Sequence, residues 1–378
     1  MRDEEGTVIR KIRKLVDWRK LVLLTSSLVT LLVSGILVPE VRDISRVVEF
    51  FQSISVLTLL AVGLSWLYLS GIRDFSLGGW YLLAIGLAQL WQNSSWGKSM
   101  DFKGVAIGAL LICLALAALG ILMGWLFSKR RHSMEFISLG LGIFLGSVGI
   151  FLLPRTELWC EPLFCGQAQL PAAVIFVGAM VLGVIVSLAA IRHFWPSSRW
   201  LGPVILTWFA ILLLTVSLYS YGGLPLAALV ALVLVLASYG LLHHHILGRS
   251  VLAVGDNLEA ARFNGVSLFK TFGMVGAIYL FCVALAAFFE TKVGVRAEAW
   301  WAYGRQVDAW LAIFLGGVAL RGGKGCFSNV LLGVLLVSVM NFVYSSFDWP
   351  MSLLFAFKAL VLSTIIWIQT KEKMAPSR

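Results

Sequence analysis

Few residues in this 378-residue chain could do chemistry by type and spacing. Gly97-Lys98-Ser99 looks like the end of a phosphate-binding loop, but Gln92 stands where the first glycine of Gly-x-x-x-x-Gly-Lys-Ser/Thr belongs, so the backbone cradle for phosphates is missing. His243-His244-His245 offers three imidazoles. Adjacent positions on a helix point in different directions, and no Cys or carboxylate joins them, so interfacial anchoring fits better than metal ligation. Cys160 and Cys165 flank a short polar segment, and a disulfide or two unpaired thiols are both open there, while Cys113, Cys282 and Cys326 sit in or beside apolar runs as packing residues. Lys358 lies inside an apolar run and Asp308 opens another. A charge at such a position is costly unless paired or facing a polar interior, so the two are a candidate pair, either structural or lining a pathway. No Ser/His/Asp, His-Glu-x-x-His or paired-carboxylate arrangement occurs in the apolar runs, which makes an enzyme the weakest class, with no cofactor and no metal expected.

The elements that must position these residues are membrane helices. The chain is 60% hydrophobic and 13% charged, with a mean hydropathy of +0.91, more apolar surface than a soluble domain of this length could hide. Apolar runs fall near 21–38, 51–70, 76–93, 104–128, 134–153, 172–192, 201–220, 225–243, 271–289, 307–320, 326–345 and 351–368, most of them long enough to cross a hydrocarbon core of about 30 Å. The expected fold is an all-α polytopic bundle of about 10 to 12 spans, one or two of them broken or re-entrant.

The charges between runs set its orientation. The basic segment 1–20 precedes an apolar run with no small-residue cleavage site after it, which reads as a retained first span with the N-terminus in the cytoplasm. Lys129-Arg130-Arg131, Arg192 with Arg199, Arg249 to Lys270, Arg321 with Lys324, and Lys371 with Lys373 then also fall inside. Most acids, including Glu49, Asp101, Glu157, Glu290 and Asp348, fall outside, together with some cations such as Arg305. Both termini are thus expected in the cytoplasm of a multi-pass membrane protein. The net charge of +11 sits in short segments between apolar runs, where anionic lipid headgroups are better partners than nucleic acid. Trp80, Trp96, Trp200, Trp349 and Trp367 lie near run ends, as an interfacial belt would place them.

Two interruptions point to a pathway. One is Ser70-Gly71-Ile72-Arg73-Asp74, ahead of Ser76 and Gly78-Gly79; the other is Arg321-Gly322-Gly323-Lys324-Gly325. Non-helical backbone at membrane depth is tolerated where it is buried in protein or lines a watery cavity, although ordinary loops fit the pattern as well. The longest cytoplasmic segment, 244–270, contains a turn at Gly255-Asp256-Asn257 and a short helix Leu258 to Phe263. There Asp256 is expected to cap with Glu259 three residues on, and Gly265 supplies the stop.

The run from Ala253 to Val266, Ala-Val-Gly-Asp-Asn-Leu-Glu-Ala-Ala-Arg-Phe-Asn-Gly-Val, resembles the ATPase-coupling loop of bacterial ABC-importer permeases in the ribose, xylose, autoinducer and branched-chain amino acid group. The resemblance continues through Asp308-Ala309-Trp310, Leu315-Gly316-Gly317, Gly322-Gly323-Lys324-Gly325, Gly333, Asn341 and Lys358. Upstream, Ser70 to Gly78 is similar to the family's Gly-Gly-Ile-Asp-Leu-Ser motif, with Arg73 as an apparent insertion. The departures are Cys326 in place of a small hydroxyl residue, Asn329 in place of a glycine, and an extra pair of spans at 172–220 within the single permease domain 21–370.

The resemblance implies a non-enzymatic transport subunit that moves a small polar organic solute, a sugar or nucleoside in preference to an amino acid. It implies a second permease as homodimer or heterodimer partner, separate cytoplasmic ATPase subunits and an extracytoplasmic binding protein. Carried over residue by residue, it assigns Asp256, Asn257, Glu259, Ala260, Ala261, Arg262 and Gly265 to ATPase coupling. Gly71, Asp74, Ser76, Gly78, Asp308, Gly322, Gly323, Asn341 and Lys358 are the pathway candidates. The alternative from the residues alone is a secondary transporter that uses Asp308 and Lys358 for ion coupling.

Overall fold

In a computed structural model that describes residues 44–94, 101–129, 131–152, 169–170, 224–290, 299–346 and 350–371, eleven helices form among the described residues. They are α1 (Ile44–Leu69), α2 (Leu77–Asn93), α3 (Asp101–Lys129), α4 (Arg131–Leu152), α5 (Leu226–His244), α6 (Ile246–Asp256), α7 (Leu258–Phe263), α8 (Leu268–Phe289), α9 (Ala299–Leu315), α10 (Phe327–Ser346) and α11 (Met351–Lys371). A two-residue antiparallel pair, Gln169–Leu170 with Leu224–Pro225, is the only strand pairing among the described residues. Seven helices are long and apolar enough to cross a membrane, namely α1, α3, α4, α5, α8, α10 and α11, and α2 is a shorter apolar helix. The protein is a multi-pass helical membrane protein.

Helices α1 and α8 form the interior. Leu57, Leu60, Leu64 and Trp66 on α1 and Val275, Leu280 and Val283 on α8 are fully or almost fully buried. α1 packs against α5, α8, α9 and α10, and α8 against α2 and α3. α3, α4, α5 and α11 instead expose rows of leucine, isoleucine and phenylalanine, among them Leu110, Phe144, Val233 and Leu360, as helices bathed in lipid do.

Lipid tails are as apolar as leucine, so helices in a membrane associate through close packing rather than through burial from water. Small residues carry that packing here. A Cβ on Gly120 or Gly124 of α3 would stand 2.2 and 2.1 Å from the carbonyl oxygens of Gly276 and Phe272 on α8. Gly79 and Gly86 of α2 meet Gly142 and Gly149 of α4 in the same way, at 2.0 and 2.7 Å. The Gly-x-x-x-Gly spacing of Gly142 and Gly146 is therefore part of a longer glycine face, with Gly149 as its third member.

Both expected interruptions are non-helical: 70–76 separates α1 from α2, and 316–326 separates α9 from α10. α9 begins eight residues before the apolar run at 307, because Trp301, Tyr303, Arg305 and Gln306 are amphipathic or polar residues that the bundle nonetheless packs. Trp80 is buried rather than interfacial, against the glycine-rich contact of α2 with α4, whereas Trp367 is exposed. Segment 1–20, the first run at 21–38, the extra pair at 172–220, Cys160, Cys165, Trp96, Trp200 and Trp349 lie outside the described residues.

Candidate functional site

Three sequence-distant turns meet at one point. α1 ends in Ser70 and Gly71, and Gly71 takes φ 78°, a left-handed conformation that glycine adopts without steric cost. The turn after α9 holds Gly322 and Gly323 at φ 90° and 73°. The amide of Gly323 donates to the carbonyl of Leu69 at 2.9 Å. Gly255, in the last turn of α6, closes the junction: a Cβ there would stand 2.0 Å from the Leu69 oxygen and 2.4 Å from the Gly323 nitrogen. A Cβ on Gly322 would meet the Cα of Gly71 at 2.6 Å, and one on Gly323 the backbone nitrogen of Asp256 at 2.7 Å. No side chain fits among these three backbones, so α6, the end of α1 and the Gly322-Gly323 turn are held in direct backbone contact.

Next to this junction runs α7. Its N-cap is Asn257, whose Oδ1 accepts from the amide of Ala260 at 3.1 Å, and not Asp256, which closes the last turn of α6. Asp256 and Asn257 are both good caps by type, and the extended backbone at Asn257 puts the cap there instead of at the expected Asp256. Gly265, at φ 80°, terminates α7: its amide donates to Arg262 O and that of Val266 to Ala261 O, both at 3.0 Å, the paired bonds of a Schellman stop. Ala261 is buried, while Asp256, Asn257, Glu259, Ala260 and Arg262 are exposed, and so is Phe263 beside them. α6 is capped in its turn by His245, whose Nδ1 accepts from the amide of Leu247 at 3.1 Å, and His243 bonds Tyr239 O at 3.0 Å. Among the described residues no group of His, Cys, Asp or Glu is arranged to hold a metal ion.

Beyond Gly71 the chain stays non-helical to Ser76 and is tied down by side chains from other helices. Asp74 is fully buried; it accepts from Tyr279 Oη of α8 at 2.6 Å and from the Ser76 hydroxyl and amide at 2.5 and 3.1 Å. Gln306 of α9 accepts from the Gly78 amide at 2.6 Å and donates to Phe75 O at 3.3 Å, while Ser138 of α4 accepts from the Phe75 amide at 3.1 Å. The apparent insertion, Arg73, reaches Glu135 of α4 at 3.4 Å. The backbone groups freed by the break thus find partners inside protein, as membrane depth requires.

On another side of α9, Asp308 and Lys358 of α11 form an ion pair at 2.6 Å, and Asn341 of α10 donates to Asp308 at 2.8 Å. All three helices are joined at this point, and α11 makes few other buried contacts. Glu290 and Arg305, which the charge pattern assigns to an outside loop, are instead a buried pair at 3.3 Å, joined by Tyr81 Oη on Glu290 at 3.0 Å and by Ser53 Oγ, which accepts from Arg305 at 3.1 Å. Arg305, Gln306 and Asp308 therefore occupy one turn of α9 and reach three different neighbours. Cys326, immediately before α10, presents its carbonyl to the amides of Asn329 and Val330 at 3.1 and 3.2 Å; it is an N-terminal capping position, which is why a small hydroxyl residue suits it. Two grooves among the described residues, one lined by Leu87, Leu90 and Trp91 and the other by Trp80, Met123 and Leu141, are mainly apolar and lack the convergent polar groups of a solute site.

Similarity extends along almost the whole chain. It is 25% identical over 354 residues to the xylose transport system permease protein XylH of Haemophilus influenzae, covering 88% of this chain and 90% of that one. The chain is thus similar over its length to the permeases of sugar transport systems. The XylH permease of Escherichia coli K12 is 24% identical over 87% of this chain and 85% of its own. The ribose import permease protein RbsC of the same strain is 32% identical over a shorter stretch, 32% of this chain and 37% of RbsC. No protein-family model matches the permease, and no solved structure matches it significantly.

Several functional-site residues carried no motif. Gln306, Tyr279 and Arg305 are each a polar or amphipathic side chain in a helix that is otherwise apolar, and that isolation was the available signal. The partners could not be read from it, since Asp74 and Tyr279 are 205 residues apart in sequence and Gly78 and Gln306 are 228 apart.

Proposed function

We propose that this permease carries a small sugar across the bacterial inner membrane, driven by separate cytoplasmic ATPase subunits that dock on α7 and supplied by an extracytoplasmic binding protein. The observation that carries the reading is the glycine junction. α7 follows α6 directly, and α6 is in backbone contact with the end of α1 at Leu69 and with the Gly322-Gly323 turn, which itself meets Gly71. A displacement of α7 by a bound ATPase reaches the Asp74–Ser76 segment without passing through a flexible side chain. Packed backbones of this kind shift between discrete arrangements rather than deforming gradually. The exposed Glu259, Arg262 and Phe263 supply the contact with the ATPase, and Gly71, Asp74, Ser76, Gly78, Asp308, Gly322, Gly323, Asn341 and Lys358 lie along or behind the solute path.

The named relatives support sugar as the solute class, since they are permeases for xylose and ribose. A second permease subunit completes the path, and both termini lie in the cytoplasm in a bundle of 10 to 12 spans. Ion coupling through Asp308 and Lys358 is not favoured by relatives that are each named as a transport-system or import permease. Purification of the permease from its native membrane in mild detergent, followed by mass spectrometry of bound proteins, tests the proposal. The expected result is a subunit bearing a phosphate-binding loop; repeated recovery of the permease alone would contradict it.

A further inference from the structure

The end of α8 farthest from α7 carries the second buried ion pair of the described bundle. α8 is 22 residues long, about 33 Å as a helix, so Glu290 lies across the bundle from the segment assigned to ATPase contact. Four separate stretches of chain converge there. Ser53 comes from α1, Tyr81 from α2, Glu290 from the end of α8, and Trp301 and Arg305 from α9. The rings of Tyr81 and Trp301 stack at 5.9 Å with 25° between planes, and the Arg305 guanidinium lies 5.4 Å from the Trp301 ring.

A buried ion pair kept only for stability is a poor choice, because apolar residues of the same volume do as well or better. This one is also incompletely satisfied: Nε of Arg305 is buried and has no hydrogen-bond partner among the described residues. A carboxylate, a guanidinium with a spare donor, two hydroxyls and a flat aromatic face are the groups that bind a neutral sugar. Its hydroxyls need charged acceptors and donors, and its C–H face packs on a ring. The pair is neutral as a whole, so a neutral polyol entering between its members would exchange hydrogen bonds without leaving a net charge buried.

We propose that Glu290, Arg305, Tyr81 and Trp301 form the sugar-reading gate on the binding-protein side of the permease. In the closed state carboxylate and guanidinium satisfy each other; a pentose or hexose delivered from outside takes over those hydrogen bonds and packs on Trp301 as the pair separates. The assignment rests on the reading of this chain as a sugar permease.

The test uses the permease reconstituted in vesicles with its ATPase and binding protein, and radiolabelled xylose, ribose and galactose as probes. Glu290→Gln and Arg305→Lys are expected to lower uptake of the preferred sugar roughly tenfold and to change the ratio between two sugars about threefold or more. ATP hydrolysis stimulated by the loaded binding protein stays within about twofold of the parent. Equal losses for all sugars, in parallel with lost ATP hydrolysis, would make the pair structural and overturn the gate, as would unchanged uptake. Should the single variants fail to fold, the exchanged pair Glu290→Arg with Arg305→Glu decides: a folded protein without uptake supports the gate, and full uptake overturns it. A parent permease that moves none of the three sugars would defeat the sugar reading itself, and the gate with it.

Discussion

The amide of Gly323 donates to the carbonyl of Leu69 at 2.9 Å, joining the turn before α10 to the end of α1 across more than half of the chain. Gly255 stands against both atoms, too close for any side chain. This contact connects the segment assigned to the ATPase with both breaks in the bundle, and the first prediction follows from it.

Gly255→Ala and Gly323→Ala should each destabilise the permease by more than about 1–3 kcal/mol, the cost of overpacking a close-packed site, since the added methyl meets backbone rather than a movable side chain. Gly240→Ala in α5 is the control: a Cβ there has nothing within 4 Å, and the helix gains up to about 1 kcal/mol. Thermal unfolding in detergent separates them. Equal melting temperatures for Gly255→Ala and Gly240→Ala would refute the junction.

The ion pair of Asp308 with Lys358 predicts non-additivity. Lys358→Met alone leaves a buried carboxylate with only Asn341 as donor and should cost about 3–5 kcal/mol, whereas Asp308→Asn combined with Lys358→Met removes both charges and should recover most of that loss. A double variant less stable than Lys358→Met would contradict the pairing.

Much of this arrangement was legible in the sequence, and the reason is physical. The interruptions at Gly71 and at Gly322-Gly323 showed as polar and glycine-rich breaks in apolar runs, because membrane depth penalises an unsatisfied backbone wherever it occurs. Lys358 and Asp308 showed for the same reason. Gln306 and Tyr279 did not, because a single amide or phenol in an apolar helix has many uses and its partner lies over 200 residues away. Glu290 and Arg305 lie near the ends of apolar runs, where the charge pattern alone suggests a loop; their pairing and the packing of Tyr81, Ser53 and Trp301 around them put them inside the protein. The cap of α7 came out one residue along because Asp256 and Asn257 are equally good caps by type, and the backbone angle decides.

Tyr279→Phe removes the donor from Asp74 Oδ2 and keeps the ring. The buried carboxylate then loses one of three hydrogen bonds, an expected cost of about 1–3 kcal/mol. Asp74→Asn replaces a carboxylate oxygen with a donor or a weaker acceptor and should cost at least as much. Thermal unfolding of both variants checks the order, and a Tyr279→Phe protein as stable as the parent would show that the phenol is not needed to hold the 70–76 segment.

Asn257→Ala removes the α7 cap and should cost about 1 kcal/mol, confined to that helix because α7 is on the surface. Hydrogen exchange at the Ala260 amide should quicken while amides of α8 keep their protection. Faster exchange throughout α8 would mean that α7 is not an independent projection.

The central claim is that α7 transmits ATP-driven motion to the bundle, and the double variant Glu259→Ala with Arg262→Ala tests it most directly. Both side chains are exposed, so the variant should insert and fold as the parent does. Uptake of radiolabelled xylose and co-purification of the ATPase subunit are measured together in the same preparation. The account predicts that both fall to background; full uptake with the ATPase still bound would contradict it.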